Sequence, residues 1–231
     1  MIINVLASGS KGNAYFIDND TPLLLEAGIR FKDIQQDLDF QVSRMAGCLI
    51  SHEHMDHAKA AKNMLRGGVD CYLSKGTVEA LGLCGHRVHV IEALRQFRIR
   101  DWAILPFQTI HDATEPLAFL MANRKGDKIL YATDTEYIAY RFVGLTHILI
   151  ECNYSMKILR DNVASKAVDK DLKRRVIQSH MSLETLIDFL KANDLSKIEE
   201  IWLLHLSDTN SDAEGFRRTI RELTGKVVKV A

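Results

Sequence analysis

The chain has 231 residues, 47% of them hydrophobic, which suits one large domain or two small ones with a sizeable core and excludes a disordered chain. Thirty basic residues balance thirty acidic ones, which excludes nucleic-acid binding through global charge and leaves local patches open. No apolar run approaches the roughly 20 residues of a membrane span, and MIINVLASGSKGN has no basic stretch ahead of a long apolar one, which points away from a signal peptide and towards a cytoplasmic protein.

From the start of the chain, short β-like runs come first: IINVL (2–6), AYFID (14–18) and PLLLEAG (22–28). RFKDIQQDL (30–38) has helical spacing of Phe31, Ile34 and Leu38. CLIS (48–51) reads as a strand, and DHAKAAKNMLRGG (56–68) as one helix with Asp56 at or near its N-cap and glycines at its end. VDCYLS (69–74) is a strand and KGTVEALGL (75–83) a short helix. RVHVIE (87–92), ALRQFRIR (93–100) and DWAILPFQ (101–108) are successive strands. PLAFLMANRKGDKILYATD (116–134) reads as a hairpin turning at Lys125, Gly126 and Asp127, and THILIEC (146–152) as another strand. The last third turns helical: DLKRRVIQ (171–178), LETLIDFLKAN (183–193) and SDAEGFRRTIREL (211–223). The strand IEEIWLLH (198–205) lies between the final two, and KVVKVA closes the chain. Two β-rich stretches, each followed by helices and with no Pro/Ser linker, predict an α/β chain. The predicted architecture is a single αββα domain over 1–231, two mixed sheets with helices on their outer faces. Cys48, Cys71, Cys84 and Cys152 form no CxxC pair and read as reduced thiols.

The stretch SHEHMDHAKA (51–60) follows the apolar run AGCLI (46–50). Uncompensated charge at the end of a buried strand costs several kcal/mol, and a metal centre is the compensation this composition suggests. His52, Glu53, His54, Met55, Asp56 and His57 fit H-x-H-x-D-H. His52 and His54 are two apart, so in an extended segment they point the same way and one ion takes both. Asp56 and His57 come as the chain turns into a helix and aim at a second point. Each shell is incomplete, because zinc-like ions need four or more ligands. Three more polar residues end apolar runs: His111, Asp134 and His205. Taken singly, each has a plain structural reading as a cap, a turn residue or a satisfied core histidine. Taken together, they complete His52, His54 and His111 around one ion, and Asp56, His57 and His205 around another, with Asp134 bridging. Two divalent ions about 4 Å apart would generate a bridging hydroxide near neutral pH, with Asp56 orienting it.

Around this centre, His180 follows the basic helix DLKRRVIQ and reads either as a junction cap or as a group that holds a phosphate or protonates a leaving oxygen. The loop from Ser8 to Asn13, with Ser10 and Asn13, reads either as a tight turn or as an anion cradle that binds substrate. The segment 157–175 carries seven basic against three acidic residues, enough to touch a nucleic-acid backbone or to form a solvated face.

The ordered set HxHxDH, His, Asp, His resembles the ligand order of the metallo-β-lactamase-fold hydrolases, whose fold is the αββα sandwich. LASGSKGNAYFI, TIHDATEPLAF, YATDTEY, LKRR with SHMSLET, and LLHLSDTNS resemble the small WalJ-type branch that carries GSxGN, over about residues 6–212. That resemblance implies two divalent ions (zinc, manganese or iron) and a phosphodiesterase acting on nucleic acid, an exonuclease, with a small phosphodiester as the lesser alternative. Two positions depart from the branch: LLLEAG has Glu26 where an aspartate is usual, and Tyr154 follows Glu151, Cys152 and Asn153 where a histidine is usual. The rival enzyme class is an ester, thioester or lactone hydrolase on the same fold. A di-iron redox protein and a non-catalytic nucleic-acid module are the remaining rivals. Protein partners are not legible.

Overall fold

The computed structural model describes residues 1–231, the side chain of Lys170 excepted; Lys170 was counted in the basic segment and its side chain lies outside what is described. The strands form two mixed sheets, of six and seven strands, flanked by helices, which is the predicted αββα class. The chain falls into two compact units, Met1–Gln108 with Ala113–Gly126, and Thr109–Asp112 with Asp127–Ala231.

In the first unit the elements run β1 (Ile2–Ala7), β2 (Ala14–Asp18), β3 (Leu23–Leu25), α1 (Phe31–Asp37), β4 (Gly47–Leu49), α2 (Met55–Ala58), α3 (Ala61–Arg66), β5 (Cys71–Ser74), α4 (Lys75–Leu81) and β6 (Val88–Ile91). The antiparallel ladder β1–β2–β3 passes into the parallel ladder β3–β4–β5–β6. Leu23, Leu24, Leu25, Cys48 and Leu49 have no exposed surface, as expected of strands covered on both faces. Ile34, Ala61 and Met64 pack the helices onto Leu24, Cys48 and Cys71. An antiparallel meander follows: β7 (Phe97–Ile99), β8 (Trp102–Gln108) and β9 (Leu117–Ala122).

The single helix expected over 56–68 is two helices, α2 and α3, and Asp56 lies near the first one's N-cap, as expected. His54 holds the N-cap position and Asp56 lies in the first turn. The break has a tertiary cause. The Ala60 amide donates to the Ala27 carbonyl at 2.8 Å, and the Ala27 amide donates to the His57 carbonyl at 2.8 Å, so backbone groups that would continue a helix are taken by a neighbouring loop.

The second unit contains β10 (Lys128–Ala132), β11 (His147–Glu151), α5 (Met156–Ala164), α6 (Lys170–Ser179), α7 (Leu183–Ala192), β12 (Glu200–Leu204), α8 (Ala213–Thr224) and β13 (Val227–Val230). Strands β10, β11, β12 and β13 pair in parallel. All five residues of β11 are buried, with the apolar Ile148–Ile150 between His147 and Glu151, as a covered parallel strand requires. Side-chain caps start the helices: Ser155 for α5, Asp169 for α6, Ser182 for α7 and Asp212 for α8. Helix α5 was not anticipated from sequence. It buries Leu159 completely while its charged positions obscure the apolar period.

Candidate metal centre

Strand β4 carries the chain into Ser51 and His52, and the pleat then sets the HxHxDH stretch. His52 and His57 are buried, and the ring centroids of His52 lie 4.6 Å from His54 and 4.2 Å from His57. His52 Nε2 and His54 Nδ1 are 3.1 Å apart. That spacing is close to the edge of a tetrahedron built on metal–nitrogen bonds of about 2.0–2.1 Å, roughly 3.3 Å. The other ring nitrogen of His52, Nδ1, meets Ser51 Oγ at 2.9 Å. His57 Nδ1 lies 3.6 Å from Glu26 Oε2, and the same oxygen accepts the Ser51 amide at 3.2 Å. Glu26 is fully buried and holds φ at 64°. Asn13 Nδ2 approaches the other ring nitrogen of His57, Nε2, at 3.1 Å. His57 Nε2 lies 3.5 Å from Asp56 Oδ2. The motif's other acid, Glu53, is used elsewhere: its Oε1 accepts from the Thr114 amide at 2.7 Å and from Thr114 Oγ1 at 2.6 Å.

The loop 8–13 has a role that the sequence reading did not foresee. Asn13 is fully buried, and its Oδ1 accepts from the Gly9 amide and Tyr15 Oη, both at 3.0 Å. Its Nδ2 lies 3.2 Å from the Asp56 carbonyl and 3.1 Å from His57 Nε2, while its amide donates to the Asp56 carbonyl at 2.7 Å. Asn13 therefore braces the Asp56–His57 turn from inside, whereas Ser10 is exposed on the loop. Gly28 closes the brace: its amide donates to the Asn13 carbonyl at 2.8 Å, and a Cβ there would stand 1.7 Å from the Asp56 carbonyl oxygen. Gly28→Ala thus forces apart backbone that has no flexible side chain to yield. The expected cost is about 3 kcal/mol, or roughly 6–12 °C in Tm, read by a thermal melt against wild type.

In the second unit, the C-terminal ends of parallel strands supply the polar groups, as open α/β sheets do. Asp134 follows β10, Glu151 ends β11 and His205 follows β12. Asp134 and His205 have φ of 48° and 51°. Left-handed backbone costs about 1–3 kcal/mol at such a position and is kept where side-chain aim matters. Asp134 presents its two oxygens to different histidines: Oδ2 is 3.5 Å from His111 Nε2 and Oδ1 is 3.3 Å from His205 Nδ1. Burial pushes the His111 imidazole below its ordinary pKa, against the pull of Asp134. With Nδ1 set 2.8 Å from the Ser179 carbonyl, Nε2 is the lone-pair nitrogen of a neutral, ligand-ready ring.

Glu151 is the residue that sequence reading passed over. It has no exposed surface and every oxygen is engaged: Oε2 accepts from the Thr135 and Met181 amides at 2.9 and 3.1 Å, and Oε1 meets His180 Nδ1 at 2.6 Å and His205 Nδ1 at 3.1 Å. Burial works to raise its pKa, but the neighbouring His180 and His205 hold it below the ordinary carboxylate value. For His180, burial works to lower the pKa, yet Glu151 and then Asp134 outweigh it, and the imidazolium persists above the ordinary histidine range. Asp134, Glu151, His180 and His205 each offer a ligand atom within 4.8 Å of the others. The signal for Glu151 was in the sequence, a polar residue ending the apolar run THILIE, the same signal that pointed to Asp134 and His205.

A Beta-lactamase superfamily domain matches residues 31–205, from the start of α1 to His205. The chain belongs to this superfamily. Curated relatives agree with the assignment. The chain is 28% identical to "Exodeoxyribonuclease WalJ" of Streptococcus pneumoniae over 91% of its length and 83% of the relative's. It is 26% identical to "Exodeoxyribonuclease YycJ" of Bacillus anthracis over 95% of its length and 88% of the relative's. Its fold is that of the metallo-beta-lactamase fold protein YhfI from Bacillus subtilis, with a TM-score of 0.74 at 14% identity, covering 99% of this chain and 95% of that one. The donor set of this superfamily member suits divalent metal. It offers imidazole nitrogens and carboxylate oxygens, largely buried.

Proposed function

We propose that this chain is a dinuclear metal-dependent phosphodiesterase that degrades DNA as an exonuclease in the cytoplasm, with zinc, manganese or iron as the ion pair. His52, His54 and His111 would hold one ion, Asp56, His57 and His205 the other, and Asp134 would contribute to both. One observation carries the reading: in the second unit Asp134, Glu151, His180 and His205 each offer a ligand atom within 4.8 Å of the others, and in the first His52 Nε2 and His54 Nδ1 lie 3.1 Å apart. The names of the curated relatives support DNA as the substrate class. When bound, divalent ions in such a site lower the pKa of water and take up negative charge on phosphoryl oxygens. The chain's own residues do the rest. Glu26 and Asn13 hold His57 and the Asp56 turn in place. Glu151, 2.6 Å from His180 Nδ1, favours the charged form of His180, and Nε2 is the nitrogen left to protonate the leaving oxygen. In this reading Asn13 acts by bracing the turn, and Ser10 remains the loop's candidate contact to substrate.

The test is metal analysis of the purified protein by ICP-MS together with digestion of end-labelled single- and double-stranded DNA. Bound metal with progressive shortening from one end supports the proposal; a metal-loaded protein that leaves DNA intact and hydrolyses an acyl ester would favour the rival ester hydrolase. The basic segment adds a second measurement. Arg174 and Arg175 are exposed in the middle of α6, and Arg175 Nε is paired with Asp112 Oδ2 at 3.0 Å. If they meet backbone phosphates, replacing both with Ala lowers the slope of log affinity against log salt by about two. An unaltered slope would return these arginines to the role of a solvated face.

A further inference from the structure

Phosphodiester chemistry at the proposed centre leaves one nearby surface unused. Segment 136–144 follows Asp134 and forms neither helix nor strand, yet both its ends are anchored. At one end Thr135 Oγ1 donates to the Tyr137 carbonyl at 2.9 Å and the Glu136 amide donates to the Ile110 carbonyl at 3.0 Å. At the other the Phe142 amide donates to Asn193 Oδ1 at 2.7 Å, and the Phe142 ring packs 6.3 Å from Phe189. Between these anchors Tyr137 is 46% exposed and Tyr140 40% exposed, with Arg141 exposed beside them. Together they line a cleft of about 230 Å³. Tyr137 stands three residues beyond Asp134, hence within roughly 10 Å of it along the chain.

We infer that this anchored loop is a stacking platform for unpaired bases, so that the strand entering the centre is single-stranded where it meets Tyr137 and Tyr140. The inference rests on the phosphodiesterase reading for its location, and it extends that reading to the form of the substrate. Two aromatic rings and a guanidinium match what a single strand offers, since each base has a face for stacking and each linkage a phosphate for Arg141. The anchors hold the loop in advance, so little ordering entropy is lost on binding. A base paired within a duplex presents no face to such a platform.

The test is fluorescence anisotropy with a labelled, cleavage-resistant phosphorothioate thymidine oligonucleotide and an abasic oligomer of equal length. Wild type is expected to bind the base-bearing strand more tightly than the abasic one. Tyr137→Ala should weaken binding of the base-bearing strand about 5- to 150-fold, Tyr140→Ala should act in the same direction, and both should bind the abasic strand as before. Tyr137→Phe should restore wild-type binding, because stacking needs the ring and not the hydroxyl. Equal affinity for the two oligomers, or full binding by Tyr137→Ala, overturns the platform and leaves the loop as a structural or protein-facing element. Turnover of bis-p-nitrophenyl phosphate by wild type separates the two ideas. Absent turnover alongside base-dependent binding sinks the phosphodiesterase reading and keeps the platform; turnover with base-independent binding does the reverse.

Discussion

Asp56→Ala yields a folded protein whose turnover has fallen by roughly 10³-fold or more, the several kcal/mol that a metal-assisted site supplies. The fold survives because the structural work of Asp56 is done by its backbone. The carbonyl, not the carboxylate, accepts the Asn13 amide and faces Asn13 Nδ2. The carboxylate is a quarter exposed and sits beside His57 Nε2, so its loss removes the proposed ligand without opening the core. Metal content should fall towards one ion per chain while circular dichroism and the thermal midpoint stay near wild type. Retained turnover in this variant would remove Asp56 from the machinery, and a collapsed melt would show that the carboxylate carries structural load after all.

His180→Ala should lose about 10²- to 10⁴-fold in rate, the usual worth of a positioned proton donor. The pH profile distinguishes an acid from a mere contact. The competent form is the imidazolium, present below its pKa, and Glu151 holds that pKa above the ordinary histidine value. Activity dependent on the proton therefore persists as pH rises and declines through that raised value. Glu151→Gln keeps the shape of the side chain and removes its charge. Burial then prevails, the pKa of His180 drops, and the alkaline limb of kcat/KM moves to lower pH. In His180→Ala the limb due to this group disappears. A limb that stays in place in Glu151→Gln would show that His180 does not donate the proton.

Much of the candidate centre was legible because its residues share one signal, polarity at the end of an apolar run. His52, His54, Asp56, His57, His111, Asp134 and His205 all follow such runs or the turn just after one. Strand ends are where parallel sheets deliver side chains to a common edge, so position in the run carries spatial information. Glu151 bore the same signal and was passed over, because Asp134 and the histidines already completed a ligand set. Its carboxylate meets the rings of His180 and His205, at 2.6 and 3.1 Å. The GSxGN loop left two readings open. Short polar residues on a glycine-rich loop suit an anion cradle and an internal brace equally well, and burial of Asn13 decides for the brace.

What the sequence determined by itself was the class of fold, the chemical type of the donor set and the order in which donors occur, since periodicity and composition are local properties that a chain displays without folding. Tertiary structure alone decided the break between α2 and α3, the brace of Asn13 and Gly28 on the Asp56 turn, and the contact of His180 Nδ1 with Glu151. Each of these depends on a hydrogen bond between residues far apart in the chain, such as Ala60 to Ala27 or His180 to Glu151. Local sequence cannot specify which buried donor finds which acceptor. That choice is made when packing removes water and leaves each group only the partners within reach.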